Sequence, residues 1–432
     1  MKISEVLNSK GLKMGSLGSV AIKFLGTLFT FLISILLARY LGIDNYGVYV
    51  LAFSTVMLLS IPLTLGLPLL LTRYIPKYEV ENNYGAIKGL LKKTNQMTFL
   101  SYAAILIVCV AIYFISPSQY SALFVETFLW GLLLLPIMGF SAIRAASLQG
   151  MRYIILGQLP DALLRNLFLF SGILGYYLIT GAITAPEAMM IHVVSACISY
   201  VIGFYFLKIK LLNRLKDVTP IYHTKKWLSH SLQFSLNMGI NNIKTRIATY
   251  MLAYFSGTAA VALFEVAFKG ANLVSYALTA LNSAIAPHLS KTFEENNPKR
   301  LQQIVTKASR VIFICSIPVA LIFILGGEYV IETLYGLEYK DSYIPLAILC
   351  GAQLINSFAG SVGLLLNMTG HHSYVLRVNL FNTLFNIVIA IPLIMYFDVI
   401  GASLAYAALL VVQNTVLVWY AHRKMNINTT VL

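Results

Sequence analysis

Apolar runs of about 20 residues recur along the whole chain, each followed by a short polar or basic connection. A run of that length is what a helix needs to cross the hydrocarbon core of a bilayer. The pattern predicts twelve spans, at 15–38, 46–71, 95–115, 122–148, 160–180, 187–207, 230–255, 259–288, 308–327, 342–368, 374–397 and 399–421. The connections alternate in character. One set is basic: 1–14, 72–94, 149–159, 208–229, 289–307, Arg377 and the segment with Arg423 and Lys424. The other set is 39–45, 116–121, 181–186, 256–258, 328–341 and Asp398, and its only basic residues are Arg39 and Lys340. Basic connections stay on the cytoplasmic side, so the first set is expected inside. An even number of spans then puts both termini in the cytoplasm.

Composition agrees with lipid as the solvent. Hydrophobic residues make up 58% of the 432 positions and charged residues 11%, with a mean hydropathy of +0.78. Soluble chains carry roughly 25% charged residues. The net charge of +15 follows the cytoplasmic connections, so it reports topology and no nucleic-acid partner. Residues 1–15 are polar, with Lys2, Lys10 and Lys13, and the run behind them is too long for a signal peptide. The first span is therefore expected to remain in the mature protein. Cys109, Cys197, Cys315 and Cys350 all lie within apolar spans without a CxxC pairing or a nearby His. They read as small buried hydrophobes, and no metal site is expected.

The chain repeats itself at an offset of 215. Between 37–82 and 252–297, eleven of 46 positions are identical without a gap, including Leu37/Leu252, Ala38/Ala253, Gly42/Gly257, Ala52/Ala267, Phe53/Phe268 and Thr64/Thr279. The offset pairs span 1 with span 7 and span 2 with span 8. The expected fold is an all-α polytopic membrane protein of twelve transmembrane helices. They form two six-helix bundles related by a pseudo-two-fold along the membrane normal. The lobes are read as 1–207 and 230–432, with the basic segment 208–229 as linker. Transporters built from parallel repeats bind substrate between the halves and rock one against the other.

Polar residues within the spans fall on helical stripes. Span 8 carries Glu265, Lys269, Asn272, Tyr276, Thr279 and Ser283 at spacings that place them on one face. Span 7 carries Gln233, Asn237, Asn241 and Lys244, with Asn242 and Arg246 beside them, and span 1 carries Ser19, Lys23, Thr27, Thr30 and Ser34. Span 10 has Gln353, Asn356, Gly360 and Asn367, and span 11 has Asn379, Asn382 and Asn386. Ionisable groups in a membrane face a cavity or a partner. Arg39 and Arg144, near span ends, are expected to snorkel to the interface, a route also open to Lys23. Lys269 lies roughly 15 Å from either surface, where snorkelling fails. Glu265, four residues earlier, is placed to pair with it, as Asp161 is with Arg165. Counted within the spans, Lys23, Arg165, Lys244, Arg246 and Lys269 outnumber Glu126, Asp161 and Glu265. Exporters of cationic drugs need unpaired carboxylates. An excess of cations suits a phosphate or pyrophosphate. Pro62, Pro68, Pro136, Pro318 and Pro392 interrupt spans and permit kinks.

The segment LLARYLGIDNYGVYVLAFSTVMLLSIPLTLGLPLLLTRYIPKY (36–78) resembles the first two spans of Wzx-type polysaccharide flippases. These belong to the multidrug/oligosaccharidyl-lipid/polysaccharide (MOP) exporter superfamily. GGEYVIETLYGLEYKDSYIPLAIL (326–349) and LLLNMTGHHSYVLRVNLFNTLFNIVIAIPLIMYFDVIGASLAYA (364–407) resemble its later spans. The resemblance implies a MOP/MATE-like fold that moves an undecaprenyl-pyrophosphate-linked oligosaccharide, the repeat unit of an O-antigen or capsule, across a bacterial cytoplasmic membrane. It implies alternating access and no cofactor beyond a coupling H+ or Na+. It also implies a polysaccharide polymerase and chain-length machinery as partners. The chain departs from the lipid II flippases, which have about fourteen spans. In this reading Lys23, Lys244, Arg246 and Lys269 hold the pyrophosphate, an assignment that rests on the stripes and not on a family motif. Asn237, Asn241, Asn272, Tyr276 and Asn382 are candidates for the sugars, and Glu265, Asp161 or Glu126 for the coupling ion. A cation or drug antiporter is the alternative, and it would depend on those three acids. An enzyme is not expected: the longest outer connection is 328–341, and HExxH, GxSxG and a phosphate-gripping glycine loop are absent.

Overall fold

A computed structural model describes residues 10–115 and 121–431, and every regular element among them is helical. The first helix, Lys10–Thr64, leaves helical geometry at Gly42 (φ 72°, ψ 171°), which divides it into α1 (10–41) and α2 (43–64). Leu65 and Gly66 then turn left-handed, and α3 (Leu67–Val80) continues with a proline in its first turn. Next come α4 (Tyr84–Ile115), α5 (Ala122–Gly150), α6 (Ile154–Thr180) and α7 (Ala185–Lys210). Residues Pro160–Leu164 of α6 form a π turn. The second half brings α8 (Thr224–Phe255), α9 (Thr258–Val274), α10 (Tyr276–Glu294) and α11 (Pro298–Leu334). It continues with α12 (Tyr343–Ala359), α13 (Val362–Met368) and the helix His372–Met425. The last breaks at Asp398 (φ 51°, ψ −127°) into α14 (372–397) and α15 (399–425).

Each predicted span is occupied by helix. The two longest apolar stretches, Ala21–Thr64 (44 residues) and His372–Met425 (54 residues), are each two crossings joined at the break. Two expectations change. Span 8 is not one straight face, because α9 and α10 meet at 49° around Ser275, between Asn272 and Tyr276. Span 10 is interrupted at Gly360 (φ 71°, ψ −152°), so Asn367 on α13 does not continue the stripe of Gln353 and Asn356 on α12. Both breaks satisfy local geometry that a periodicity of side chains does not report.

The repeat has a backbone signature. Gly42 and its equivalent Gly257 share one conformation, with φ 72° and ψ 171° in the first and φ 88° and ψ −177° in the second. Only glycine occupies that region without strain. Left-handed Asn82 and Asn296 lie 214 positions apart, as do the helix starts Tyr84 and Pro298. In both halves the second span is broken in two before it ends.

By contacts the chain forms two compact units, one of residues 1–41 and 48–243, the other of residues 42–47 and 244–432. The division falls inside α8. The segment 208–229, read as a linker, packs within the first unit: Leu211, Leu215 and Trp227 are buried with Leu71, Ile75, Leu90 and Met151. Trp227 Nε1 donates to Tyr78 Oη at 3.1 Å. In the second unit, Tyr46 lies edge-on to Tyr339 with ring centroids 6.3 Å apart.

Burial is inverted relative to a soluble protein. Ile179 is 86% exposed and Phe114, Leu178, Leu325 and Tyr396 are also largely exposed, while Arg144, His192, Glu265, Gln353, Asn382 and Asn414 are buried. Lipid is the outer solvent for such a surface. The cysteines follow the same logic. Cys350 is buried, but Cys197 and Cys315 are exposed and Cys109 is half-buried, so three of the four do not serve as interior hydrophobes. An apolar side chain in a membrane span is equally at home facing lipid.

Replacing Gly42 or Gly257 by alanine is expected to lower stability by about 1–3 kcal/mol each through backbone strain. A Cβ at Gly257 meets no atom within 4 Å, so the loss there isolates the conformational term. Thermal unfolding of the two variants in lipid measures it.

Candidate functional site

The interior of the second unit is charged. Arg246 and Lys244 lie on the part of α8 that belongs to this unit, and Glu265 and Lys269 lie on α9. Glu265 is 6% exposed and holds two cations: Lys269 Nζ at 3.4 Å and Arg246 Nη1 at 3.9 Å. The predicted pair of Glu265 and Lys269 is therefore present, with Arg246 as a third member. One carboxylate against two cations leaves the cluster positive. Lys244 adds to that charge: its ammonium donates to the Gln413 side-chain carbonyl on α15, a neutral partner.

A network of amides adjoins the cations. Asn414, next to Gln413, donates to Asn356 Oδ1 at 2.9 Å, and Asn356 donates to Gln353 Oε1 at 3.1 Å. This joins α15 to α12. Asn386 donates to the Ala405 carbonyl at 2.6 Å and Asn382 to the Leu409 carbonyl at 2.7 Å, which fastens α14 to α15. Asn382 is thus a buried helix-to-helix contact through its amide N–H, and its Oδ1 is buried without a hydrogen-bond partner among the described residues. An amide can serve a backbone carbonyl as well as a ligand. Asn272 and Tyr276 are half-buried on either side of the bend at Ser275. The side chains of Gln233, Asn237, Asn241 and Ser283 lie outside the described residues. Gln413 and Asn414 were missed, although an adjacent Gln-Asn pair within LLVVQNTVLVW is a visible polar interruption.

Lys23, the fourth predicted cation, lies on α1 in the first unit and is exposed. The neighbouring hydroxyls of Thr27 and Thr30 bond back to carbonyls of their own helix at 2.9 and 2.8 Å. Glu126 is exposed in the second turn of α5. Arg144 was expected to snorkel and does not. It is 1% exposed, and its Nη2 donates to Asp161 Oδ2 at 2.5 Å. Its guanidinium packs flat on Gly203 of α7, where a Cβ would collide with it. So Asp161 is bonded to Arg144 from another helix, and not to Arg165 one turn away. Asn166 ties α6 to α1 through the Gly26 carbonyl at 3.2 Å and Thr30 Oγ1 at 3.3 Å. Tyr49 and His192 meet at 2.9 Å.

An all-helical chain with an apolar exterior and a charged, amide-rich interior belongs to the class of membrane transporters, because polar groups are retained in lipid where they line a path. The sequence profile of the polysaccharide biosynthesis protein family matches residues 13–293, and that of the MatE family matches 235–391. The chain belongs to the polysaccharide biosynthesis protein family. It is 22% identical over 401 residues to an uncharacterized membrane protein of Methanocaldococcus jannaschii, covering 88% of this chain and 78% of that one. Two relatives come from Haloferax volcanii. A probable low-salt glycan biosynthesis flippase is 22% identical over 38% of this chain and 34% of its own length. The probable flippase AglR is 23% identical over 50% of this chain and 44% of its own length. The chain thus spans less than half of either flippase. Among solved structures, the inward-facing conformation of a MATE-family multidrug resistance transporter of the MOP superfamily matches with a TM-score of 0.79. The match has 16% identity and covers 95% of this chain and 98% of that one. The lipid II flippase MurJ in an inward closed conformation matches with a TM-score of 0.69 at 14% identity, over 94% and 87% of the two chains. The fold is that of the MOP superfamily.

Removing the shared carboxylate strands two cations. Glu265→Gln is expected to destabilise the second unit by about 3 kcal/mol, with part of the loss recovered by adding Arg246→Gln. A double-mutant cycle of unfolding free energies reads the coupling.

Proposed function

We propose that this protein is a flippase that carries a polyprenyl-pyrophosphate-linked oligosaccharide from the inner to the outer leaflet by alternating access. The observation that carries the reading is the sign of the charge inside the second unit. Arg246 and Lys269 share one carboxylate, and Lys244 rests on an amide. A doubly charged pyrophosphate complements such a cluster. It accepts charge-assisted hydrogen bonds of the kind that lysine and arginine donate. The nearby amides of Gln353, Asn356, Gln413 and Asn414 offer donors and acceptors suited to sugar hydroxyls, together with Asn272 and Tyr276. Lys23 is retained as a cation that meets the headgroup at an earlier stage, from its exposed place on α1.

The two probable flippases among the relatives, one of them of glycan biosynthesis, support a lipid-linked glycan as substrate. The drug antiporter reading needs a carboxylate ready for a cation. Against it, Glu265 is engaged by two cations and Asp161 by Arg144. The alternation of basic connections supports a cytoplasmic-membrane location with both termini inside.

Substituting Lys244, Arg246 or Lys269 by alanine removes a charge-assisted contact, so each is expected to slow transport about tenfold or more. Cells of the source organism lacking the gene should lose the surface glycan and accumulate lipid-linked repeat units on the cytoplasmic leaflet. The three variants should restore it poorly. A normal glycan, with raised drug sensitivity, would replace this reading by the antiporter.

A further inference from the structure

The segment that joins α7 to α8 carries a surface that the reading above leaves unused. Residues 208–232 hold six cations, Lys208, Lys210, Arg214, Lys216, Lys225 and Lys226, against one acid, Asp217. Among the described residues none of the six forms an ion pair. Lys210 and Lys226 instead lie over the rings of Tyr153 and Tyr74, at 5.2 and 6.0 Å. The exposed cations Lys291 and Arg300 of the second unit, by contrast, share Glu295 at 3.7 and 3.8 Å. Beside the six cations, Ile209, Ile221, Tyr222, Leu228 and Leu232 are exposed. Leu228 and Leu232, one turn apart on α8, share a face with Lys225, and Trp227 on the opposite face is buried. All but Leu232 lie outside the predicted spans, so the hydrocarbon around a span does not account for their exposure. The segment is seated on the first unit through its backbone. The Ile221 N–H donates to the Gly85 carbonyl at 2.9 Å, and Lys88 Nζ on α4 donates to the Lys216 carbonyl at 2.8 Å. At Gly89 a Cβ would collide with the Ile221 backbone. Leu211, Leu215 and Trp227 fill the core beneath. The outward aliphatic groups therefore belong to a segment whose inner side is already packed.

We infer that this segment is a binding surface for anionic phospholipid of the cytoplasmic leaflet, with its aliphatic side chains in the headgroup layer and its cations on lipid phosphates. Both of its flanks are span ends, since α7 closes at Lys210 and α8 opens at Thr224. The chain leaves the bilayer and re-enters it within this stretch, which keeps the segment beside the headgroups. Amphipathic surfaces of this composition lie in the plane of the interface, aliphatic groups at the acyl boundary and lysines toward the polar side. Tyrosine, here Tyr222, favours the same level. Lysine stems cover apolar surface while the ammonium reaches a phosphate. Basic clusters just cytoplasmic of a span select anionic lipid, because each cation adds its own attraction to a negative headgroup. In a zwitterionic headgroup the lipid's own ammonium offsets the phosphate. Lys291 and Arg300 are neutralised within the chain, whereas the six cations here remain for an anion from outside it. A soluble acidic partner would meet the same cations, but the two span ends place lipid headgroups there first. The surface belongs to the first unit, and it holds whatever substrate the protein carries.

Native mass spectrometry of the full chain, released from detergent with equal amounts of phosphatidylglycerol and phosphatidylcholine, reads the lipid preference. Wild type should retain phosphatidylglycerol about fivefold or more over phosphatidylcholine, the factor that one basic residue supplies at an anionic surface. Replacing Lys208, Lys210, Lys216, Lys225 and Lys226 together by glutamine should bring the ratio close to unity. The pair Lys225→Gln and Lys226→Gln, milder for the fold, should lower it part of the way. Lys291→Gln with Arg300→Gln removes as many charges as that pair and should leave the ratio unchanged. Variants are compared only where their melting shows a folded protein. A ratio of one in wild type, or a ratio that both pairs lower equally, overturns the proposal. The second arm measures depth. A nitroxide is attached at Leu228→Cys, in a chain whose four natural cysteines are replaced by alanine, in nanodiscs that contain phosphatidylglycerol. Oxygen, which concentrates in lipid, should relax the label more than a water-soluble nickel chelate does. The reverse order puts Leu228 in water, overturns the proposal and leaves this face to a soluble acidic partner.

Discussion

Hydrocarbon offers no hydrogen bond, so every peptide group and polar side chain in a lipid-embedded segment must find its partner within the chain. That constraint explains the all-helical fold, since a helix satisfies its backbone alone. It also explains where the helices break. Gly42, Gly257, Gly360 and Asp398 adopt geometries that interrupt the hydrogen-bond ladder. The first, second and fourth of these lie at turns between spans. Gly360 lies between α12 and α13, and there the segment after α15 supplies order: Ser309 donates to the Thr429 carbonyl at 2.7 Å, and Gln302 and Asn428 exchange hydrogen bonds of 2.6 and 2.8 Å. Ile427 is buried beside them with Leu289, Leu301 and Leu365.

The same constraint sorts the polar side chains into two kinds. Some hold helices together, as Asn382, Asn386 and Asn166 do by donating to the carbonyls of neighbouring helices. Others are charged and only partly neutralised. Buried ion pairs seldom stabilise a protein more than well-packed hydrophobes would. The positive cluster around Glu265, and the Arg144 guanidinium buried against Asp161, are therefore expensive features for a fold to keep. In a membrane, such groups are kept where something passes them. Each unit has its own imbalance of cations, and the two differ in chemistry. The second unit surrounds its cations with side-chain amides. The first buries Arg144 against Asp161 and His192 against Tyr49. The anionic, sugar-bearing headgroup proposed above matches the former.

The positions of the spans, the alternation of basic connections and the repeat at 215 were all legible in the sequence. They depend on the length of apolar runs and on residue identity, which are local properties. So was the i,i+4 pair of Glu265 and Lys269, because a helix fixes that spacing by itself. The glycine pair at 42 and 257 was visible as an identity, and its shared backbone conformation explains why both halves keep it.

Other features depended on which helices face each other. Periodicity gave a polar face for span 11 but not its partner, and that partner is the backbone of α15, to which Asn382 and Asn386 donate. Arg144 sits near a span end, which is where a cation can snorkel, yet Gly203 on α7 leaves it a flat seat and Asp161 on α6 supplies the countercharge. Arg246 joined Glu265 only because α8 lies beside α9. Exposure of Cys197 and Cys315 to lipid could not be read from hydropathy, since lipid and protein interior are equally apolar. The sequence by itself determined the elements, their order and their charge, because those follow from the solvent and from spacing along one helix. Only the tertiary structure decided which polar groups neutralise one another, because pairing between helices is a matter of distance across space and not along the chain.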